Sequence, residues 1–334
     1  MTTTQRLTAP PPDRAAVRRP LLAVDGLGVQ FLLRDTSVHA VTDLNLTVRA
    51  GELLAIVGES GCGKSVLAHA LLGLLPGNAT ITGHAILHDP AADPIDLVTC
   101  GQRHLARRVR GRRIGLVPQS PATALNPVRT GRRLLTETLR AHGRGREDCD
   151  QLAVDVGLDP ADLDRYPHEL SGGMAQRLVT ALALAPDPSL LIADEPTTGL
   201  DRPLVDHTLD LLRRRCDDGS AVVLITHDLA AAQRVADTVA VMYASRIVEH
   251  RDAGQLFTAP THPYAAALLD ALPDRAFRPV PGDPPMLTAL PPGCAFAPRC
   301  PRRTDICASQ PPPTPLAEGG MVACHHPITT GAVT

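Results

Sequence analysis

Aromatic residues are scarce in this chain and its charge is close to neutral, which limits its possible partners. No tryptophan occurs among the 334 residues, and aromatic side chains make up only 2% of them. Proteins that bind single-stranded nucleic acid stack bases on aromatic rings, and this sequence offers few such rings. The formal net charge of −2 gives no electrostatic reason to expect DNA or RNA. We therefore expect no nucleic-acid partner.

Long hydrophobic runs are also missing. The most apolar segments, such as SLLIA and AVVLIT, have the length of a strand and fall far short of the ~20 residues that a helix needs to cross a bilayer. The first 20 residues are polar and rich in proline and arginine, unlike a signal peptide. We interpret residues 1–20 as a disordered tail and expect a cytosolic chain. In that compartment, eight cysteines are more typical of thiols or metal ligands than of disulfides.

Lysine is the rarest charged residue, and its single occurrence indicates a function. Of the 33 basic residues only Lys64 is lysine, in the segment GESGCGKS at 58–65. This segment lies between the strand-like LLAIV (53–57) and the amphipathic SVLAHALLGLL, which is the context that a phosphate-binding loop requires. A compact ammonium fits between two phosphates where the wide fork of arginine does not. The alternative is a structural glycine-rich turn before an ordinary helix.

We predict that this segment binds the phosphates of ATP. Its glycines permit a tight turn that aims backbone N–H groups inward, and the following helix adds the partial positive charge of its N-terminus. Lys64 would bridge the β- and γ-phosphates, and the hydroxyl of Ser65 would bind Mg²⁺. The loop residues expected to contact ATP or Mg²⁺ are Gly58, Glu59, Ser60, Gly61, Cys62, Gly63, Lys64 and Ser65.

Two further segments contain residues suited to binding or hydrolysing ATP. SLLIADEPT (189–197) is an apolar strand that ends in two acids, of which Asp194 would bind Mg²⁺ and Glu195 would deprotonate the attacking water. Alone, this acid pair is equally typical of a helix N-cap. ELSGGMAQR (169–177) places Ser171 as an N-cap, followed by two glycines that allow a phosphate close to the backbone. A capped helix that starts with two glycines also occurs in many unrelated folds.

In this order, the three segments resemble those of ABC-type ATPases. The resemblance implies roles for Gln119 in LVPQS, for Asp201 in TTGLD, for His227 in LITHD and for Phe31, whose ring would stack on adenine. It also implies a dimer in which each ATP lies between the phosphate loop of one chain and the signature helix of the other. The catalytic residues would be Glu195, His227, Lys64 and Gln119. Ser171 and Gly173 would complete the partner's site, and Gly172 and Asp201 are also expected to bind ATP, the latter from the dimer-contacting loop TTGLD.

Other segments are similar to those of the D-type ATPase subunits of oligopeptide and dipeptide importers. They are ALNPV (124–128), HPYAAALL (262–269), GDPPML (282–287) and GCAFAPRCP (293–301). The resemblance implies a second ATPase subunit, expected to be a homologous F-type chain, two transmembrane permease subunits, an extracytoplasmic solute-binding protein and a peripheral location on the cytoplasmic face of the bacterial membrane. The alternatives are a soluble non-transport ABC ATPase, or an importer of this family for nickel chelates or another non-peptide solute.

The fold class follows from the alternation of strand-like runs with amphipathic stretches, which is typical of α/β proteins. LLAIV, IGLV, LLIA, VVLIT and TVAVM are too uniformly apolar for a half-exposed sheet, and we predict central strands covered on both faces. The resemblance makes this a P-loop NTPase core of the ABC-ATPase type, a mixed sheet with flanking helices. We predict the ATPase domain at 21–260, with an inserted helical subdomain at about 120–186, and a small C-terminal module at 261–334.

The C-terminal module is rich in proline and carries four cysteines. Residues 273–334 hold 14 of the 32 prolines and show little periodicity, so this segment needs a staple other than a hydrophobic core of its own. Four thiolates in such a module indicate an iron–sulfur cluster or zinc. The absence of paired C-x2-C knuckles argues against zinc, and the importer resemblance implies a [4Fe–4S] cluster. Unligated or oxidised cysteines are the third alternative. The proposed ligands are Cys294, Cys300, Cys307 and Cys324.

Overall fold

The computed structural model describes residues 19–89 and 92–329, so that the predicted tail at 1–20 falls outside it except for its last two residues. Twelve strands are present in this part of the chain: β1 Pro20–Leu32, β2 Ser37–Arg49, β3 Leu53–Val57, β4 Ala79–Asp89, β5 Ala92–Asp96, β6 Ile114–Val117, β7 Leu190–Asp194, β8 Ala221–Ile225, β9 Thr238–Tyr243, β10 Arg246–Asp252, β11 Thr314–Pro315 and β12 Met321–Val322.

Helices pack around these strands. They are α1 Lys64–Leu71, α2 Gln102–His104, α3 Pro121–Ala124, α4 Gly131–Ala141, α5 Asp148–Asp155, α6 Gly172–Leu184, α7 Arg202–Asp217, α8 Leu229–Val235, α9 Ala253–Thr258 and α10 Pro263–Asp270. A π-helical turn over Leu105–Val109 continues α2, and short 3₁₀ turns cover Pro160–Asp164, Pro167–Glu169, Ala297–Arg299 and Asp305–Ala308.

The larger sheet is the centre of the molecule, with the strand order β11-β12-β10-β9-β3-β8-β7-β6. The five strands from β9 to β6 run parallel, and they are the five strands predicted from uniformly apolar runs. Every residue of β3, β7 and β8 is buried, because helices or loops cover both faces. The predicted mixed α/β sheet with flanking helices is confirmed. The carboxyl ends of these parallel strands lie at one edge of the sheet, where ligands of open α/β sheets bind.

A second, antiparallel sheet with the order β2-β1-β4-β5 was not resolved into strands by the sequence analysis. Strands β1 and β2 each contain 13 residues and alternate polar with apolar positions, so one face packs on the core and the other meets solvent. Register shifts interrupt their pairing, for example between Val24 and Leu27. The carboxyl end of β1 carries Phe31 to the edge of the site described below.

Helices α3 to α6 lie between β6 and β7 in the chain, within the predicted helical subdomain. Their apolar side chains form one core, which includes Leu135, Leu139, Leu163 and Leu178, all fully buried. Helix α6 begins after Ser171, whose hydroxyl accepts a hydrogen bond from the N–H of Met174 at 3.2 Å. The predicted N-cap is therefore confirmed.

The C-terminal segment packs on the ATPase core. Strand β12 pairs with β10, which extends the larger sheet. Phe296 is buried, and its ring centroid lies 5.4 Å from those of both Tyr243 and Tyr264. The segment thus takes its apolar contacts from the preceding domain, as its composition suggested. The domain boundary at 260/261 stays a prediction.

One buried histidine in this region makes the stability of the fold dependent on pH. His262 caps α10, and its Nδ1 accepts a hydrogen bond from the N–H of Tyr264 at 2.9 Å. Burial lowers the pKa of His262 from its ordinary 6.5 to about 3. Below pH 6.5 the unfolded chain therefore gains a proton at this residue that the folded chain does not, and stability falls as the pH falls.

We expect His262→Asn to weaken this pH dependence, because asparagine can still cap the helix and does not titrate. Between pH 7.5 and 5.5, the histidine alone should cost the unchanged chain roughly 1 kcal/mol of unfolding free energy. Urea unfolding at both pH values measures this loss, and the variant should show a smaller difference between them. Equal losses in both chains would contradict the assignment.

Candidate functional site

The GESGCGKS segment forms the turn between β3 and α1, as its position in the sequence predicted. Gly58 has a φ of 153° and Gly63 a φ of 112°. A Cβ at Gly58 would overlap the carbonyl oxygen of Met242, and one at Gly63 would overlap that of Ala40. Both positions therefore require glycine for conformation and for space. The loop is therefore packed closely against β9, which contains Met242, and β2, which contains Ala40.

Lys64 lies at the base of this loop with only 7% of its surface exposed. Its Nζ donates hydrogen bonds to the carbonyl oxygens of Gly58 at 2.7 Å and Glu59 at 3.0 Å. Its contact with the Cys62 sulfur is longer, at 3.8 Å, and burial raises the pKa of that thiol. The ammonium is thus held by carbonyl dipoles of its own loop, a compact arrangement that suits a point charge aimed at phosphate.

A cavity of about 270 Å³ opens in front of the loop. It brings together eight residues that the sequence assigned to the site: Phe31, Ser60, Gly61, Gly63, Lys64, Ser65, Gln119 and Glu195. Sequence reasoning missed Val38, Ala40, Val66 and Leu287, which complete the lining. Leu287 belongs to the GDPPML segment, and its carbonyl oxygen accepts a hydrogen bond from the N–H of His39 at 2.9 Å. The segment GDPPML was recognised in the sequence, but nothing there indicated this contact.

Asp194 ends β7 behind the phosphate loop and is 3% exposed. Burial raises the pKa of its carboxyl group, and a hydrogen bond from Ser65 opposes that shift. The buried Oδ1 of Asp194 has no hydrogen-bond partner among the residues that the structure describes. A buried carboxylate oxygen beside a hydroxyl, with one acceptor left unsatisfied, matches the oxygen ligands that Mg²⁺ prefers. The predicted Mg²⁺ ligands therefore fit the ion.

Glu195 follows Asp194 in a backbone conformation that is rare for residues other than glycine, with a φ of 50°. Its Oε1 accepts two hydrogen bonds from His227, one from the backbone N–H at 3.1 Å and one from Nδ1 at 2.8 Å. Because a carboxylate can only accept, the imidazole donates from Nδ1. Glu195 is 7% exposed and lines the cavity, whereas the His227 side chain is 65% exposed. The histidine thus holds the carboxylate at the cavity wall.

The signature residues lie away from this cavity. Ser171 and Gly172 are exposed at the start of α6. Asp201 is exposed as well, and it caps α7 through a 3.3 Å hydrogen bond from the N–H of Leu204. A Cβ at Gly173 would lie 3.1 Å from the side chain of Leu200, so the signature helix adjoins the TTGLD loop. The structure brings these residues together on one surface, separate from the phosphate loop of the same chain.

Glu59 of the phosphate loop does not line the cavity. Its carboxylate pairs with Arg299 of the C-terminal segment, so that only its carbonyl oxygen contacts Lys64. The expected contact between Glu59 and ATP stays a prediction.

The four C-terminal cysteines are close enough for their charges to interact, but among the described residues their side chains are not placed as ligands of one metal ion. In residues 19–89 and 92–329, no group of three or more histidine, cysteine, aspartate or glutamate side chains is placed to hold a metal ion. All four are free thiols. Burial, and to a smaller extent the neighbouring thiols, raise the pKa of Cys294, Cys300 and Cys324, the last to about 11. The predicted [4Fe–4S] or zinc geometry is not supported.

Comparisons with known proteins agree with the fold and the motifs. The family model for ABC transporters matches residues 41–198, and that for the oligopeptide/dipeptide transporter C-terminal region matches residues 248–307. The chain is 40% identical over 322 residues to the oligopeptide transport ATP-binding protein OppD of Salmonella typhimurium, covering 92% of this chain and 94% of that protein. It is 39% identical over 317 residues to a putative peptide import ATP-binding protein of Brucella melitensis, covering 89% and 94%.

Solved structures share the fold. The dimeric ATP-binding cassette MJ0796, bound to ADP and Pi, has a TM-score of 0.63 at 24% identity and covers 70% of this chain and 98% of its own. The cbiO1 protein of Clostridium perfringens, part of the ABC transporter complex cbiONQ, has a TM-score of 0.57 at 26% identity and covers 72% and 91%. Within the described residues, no helix is long and apolar enough to span a bilayer. The chain belongs to the ATP-binding proteins of ABC transporters, in the branch that carries the oligopeptide/dipeptide transporter C-terminal region.

Proposed function

We propose that this chain is the ATP-hydrolysing, energy-coupling subunit of an ABC importer for oligopeptides or dipeptides. The observation that carries the proposal is the cavity in which Lys64, Gln119 and Glu195 meet in front of the phosphate loop. The identity with OppD over 92% of the chain supports the solute class. ATP is the substrate, and Mg²⁺ is its companion ion.

The chain's own residues provide the parts of an in-line phosphoryl transfer to water. Backbone N–H groups of the loop and the Lys64 ammonium bind the phosphates, and Phe31 at the cavity rim is positioned to meet the adenine ring. Glu195 is the general base that takes a proton from the attacking water. His227 orients the Glu195 carboxylate through Nδ1, and its exposed ring would contact the γ-phosphate. Gln119 lines the same cavity, where it would contact the nucleotide and relay its state to the permease subunits.

Ser65 and Asp194 would hold Mg²⁺, which when bound neutralises the negative charge of the β- and γ-phosphates. Ser65 is also the residue that follows Lys64 at the start of α1, so the ion and the ammonium approach the phosphates from one helix end.

The exposed signature surface supports a composite site. Ser171, Gly172, Gly173 and Asp201 would complete the ATP site of a second ATPase subunit, which we propose to be a homologous F-type chain. ATP closes the pair because it binds the closed form more tightly, and hydrolysis releases it. Two permease subunits would span the membrane, with this chain on their cytoplasmic face, and a binding protein would deliver the solute from outside. No nucleic acid takes part.

We propose a [4Fe–4S] cluster for the C-terminal module, with Cys294, Cys300, Cys307 and Cys324 as its ligands and zinc as the alternative metal. Four cysteines within a proline-rich segment that has no hydrophobic core of its own support it. Iron, sulfide and zinc analysis of the anaerobically purified chain distinguishes a cluster from zinc and from free thiols.

Peptide uptake tests the proposed function directly. Deletion of the gene should abolish uptake of a labelled tripeptide, with free amino-acid uptake unchanged as the control, and the intact chain should restore it. If the deletion abolished nickel-chelate uptake and left peptide uptake intact, the chain would be assigned to a non-peptide importer. Unchanged uptake of both solutes would favour the soluble, non-transport ATPase.

A further inference from the structure

An ion pair joins the C-terminal segment to the phosphate loop. Arg299 donates from Nη1 to Oε2 of Glu59 and from Nη2 to Oε1, each at 2.8 Å. The remaining donors of the guanidinium are also used, by the hydroxyl of Tyr243 at 3.1 Å and the carbonyl oxygen of Pro281 at 2.6 Å. Arg299 is 8% exposed. A bidentate pair with a buried guanidinium fixes the direction of both side chains.

The backbone of the same loop residue is held as well. The hydroxyl oxygen of Tyr264 accepts a hydrogen bond from the N–H of Glu59 at 2.9 Å. Tyr264 is fully buried, and its ring packs against Tyr243 and Phe296. Two side chains from beyond residue 260 thus hold Glu59 of the phosphate loop. Arg299 binds its carboxylate, and Tyr264 binds its backbone amide.

Glu59 is also a direct hydrogen-bond partner of Lys64, whose ammonium is proposed to bind the phosphates of ATP. The carbonyl oxygen of Glu59 accepts a hydrogen bond from Nζ of Lys64 at 3.0 Å. The contacts therefore run without a gap from Arg299 and Tyr264, through Glu59, to Lys64. A shift of Glu59 would move the carbonyl oxygen that holds Lys64, and small displacements of positioned groups have large effects on binding and rate.

We infer that Arg299 and Tyr264 are positioning residues for the phosphate loop, so that the C-terminal segment of this chain sets the ATP affinity of the same chain's site. The inference rests on the proposed function, because it concerns the same nucleotide. A purely structural role would instead have Arg299 only attach the C-terminal segment to the ATPase core. In that case its loss would lower stability and leave the affinity of the folded chain for ATP unchanged.

The chain offers variants that separate the two roles. Arg299→Met removes the guanidinium and keeps an unbranched apolar side chain, and Tyr264→Phe removes only the hydroxyl and keeps the packed ring. Arg303→Met is the matched control, because Arg303 is an exposed arginine of the same segment. Glu59→Gln, alone and combined with Arg299→Met, tests whether the two residues act as a unit.

The measurement is equilibrium binding of a fluorescent ATP analogue with Mg²⁺ to the full chain, at a temperature where circular dichroism shows each variant folded. We expect Arg299→Met to weaken binding about tenfold and Tyr264→Phe a few-fold, with Arg303→Met unchanged. The double variant should bind no more weakly than the weaker of its two single variants. Arg299→Lys should recover part of the affinity, since it restores charge without the bidentate fork.

Affinity equal to that of the unchanged chain in both Arg299→Met and Tyr264→Phe would overturn the inference, as would strictly additive losses in the double variant. If Arg299→Met does not fold, Tyr264→Phe decides alone, because its ring packing is intact. Failure of the unchanged chain to bind the analogue would instead refute the proposed function.

Discussion

Replacing Glu195 with glutamine should reduce ATP hydrolysis by the assembled ATPase pair at least about 100-fold while leaving ATP binding intact. Glutamine has nearly the same shape as glutamate and can still accept a hydrogen bond from His227, but it cannot take a proton from water. ATP should therefore remain bound in a closed pair. Phosphate release measures turnover, and size-exclusion chromatography with ATP and Mg²⁺ measures the closed pair.

Glu147→Gln is a matched control, since Glu147 is an exposed glutamate that does not line the cavity. It should hydrolyse ATP at the rate of the unchanged protein. Normal turnover in Glu195→Gln would show that another group is the base, and His227→Ala would then be the next variant to test. A loss of ATP binding in Glu195→Gln would also count against the assignment.

Exchanging Lys64 for arginine should be nearly as damaging, although the charge is conserved. Lys64 Nζ lies within 3.0 Å of two loop carbonyl oxygens, and the residue is 7% exposed. The guanidinium is wider than an ammonium and planar, so it cannot occupy this place and still reach two phosphates. We expect ATP affinity to fall by about 100-fold or more, and peptide uptake to stop. Binding of the fluorescent analogue and uptake in cells measure the two effects.

The reverse exchange at an exposed site provides the control. Arg108→Lys should change neither ATP binding nor uptake, because Arg108 is exposed and outside the cavity. Near-normal uptake with Lys64→Arg would mean that the loop tolerates any cation, and the explanation for the single lysine would be wrong.

The central strands and the phosphate side of the site could be predicted because their signals are local. Uniformly apolar runs identified β3, β6, β7, β8 and β9, and the loop, the acid pair and the capped helix are each read within about ten residues. Strands β1 and β2 were harder, because their alternating polar residues and the register shifts in their pairing weaken the periodicity. Short apolar runs between charged residues do not show where such strands begin.

The part of the site that could not be predicted depends on contacts between distant residues. Arg299 is 240 positions from Glu59 in the chain, and Leu287 reaches the cavity from the C-terminal segment. An exposed arginine and a buried one look alike in a sequence, and proline-rich segments carry little periodic signal. The ion pair of Glu59 was missed for the same reason: its partner Arg299 lies beyond the range of local patterns.

The single covered lysine has a chemical consequence for the living cell. Acylation and other amine modifications of proteins usually fall on many side chains, most of them harmless. Here the only side-chain amine of 334 residues lies beneath the phosphate loop, held by two carbonyl oxygens. Any modification of a lysine side chain in this protein would therefore alter the ATP-binding loop. Bound nucleotide should protect Lys64 from such a modification.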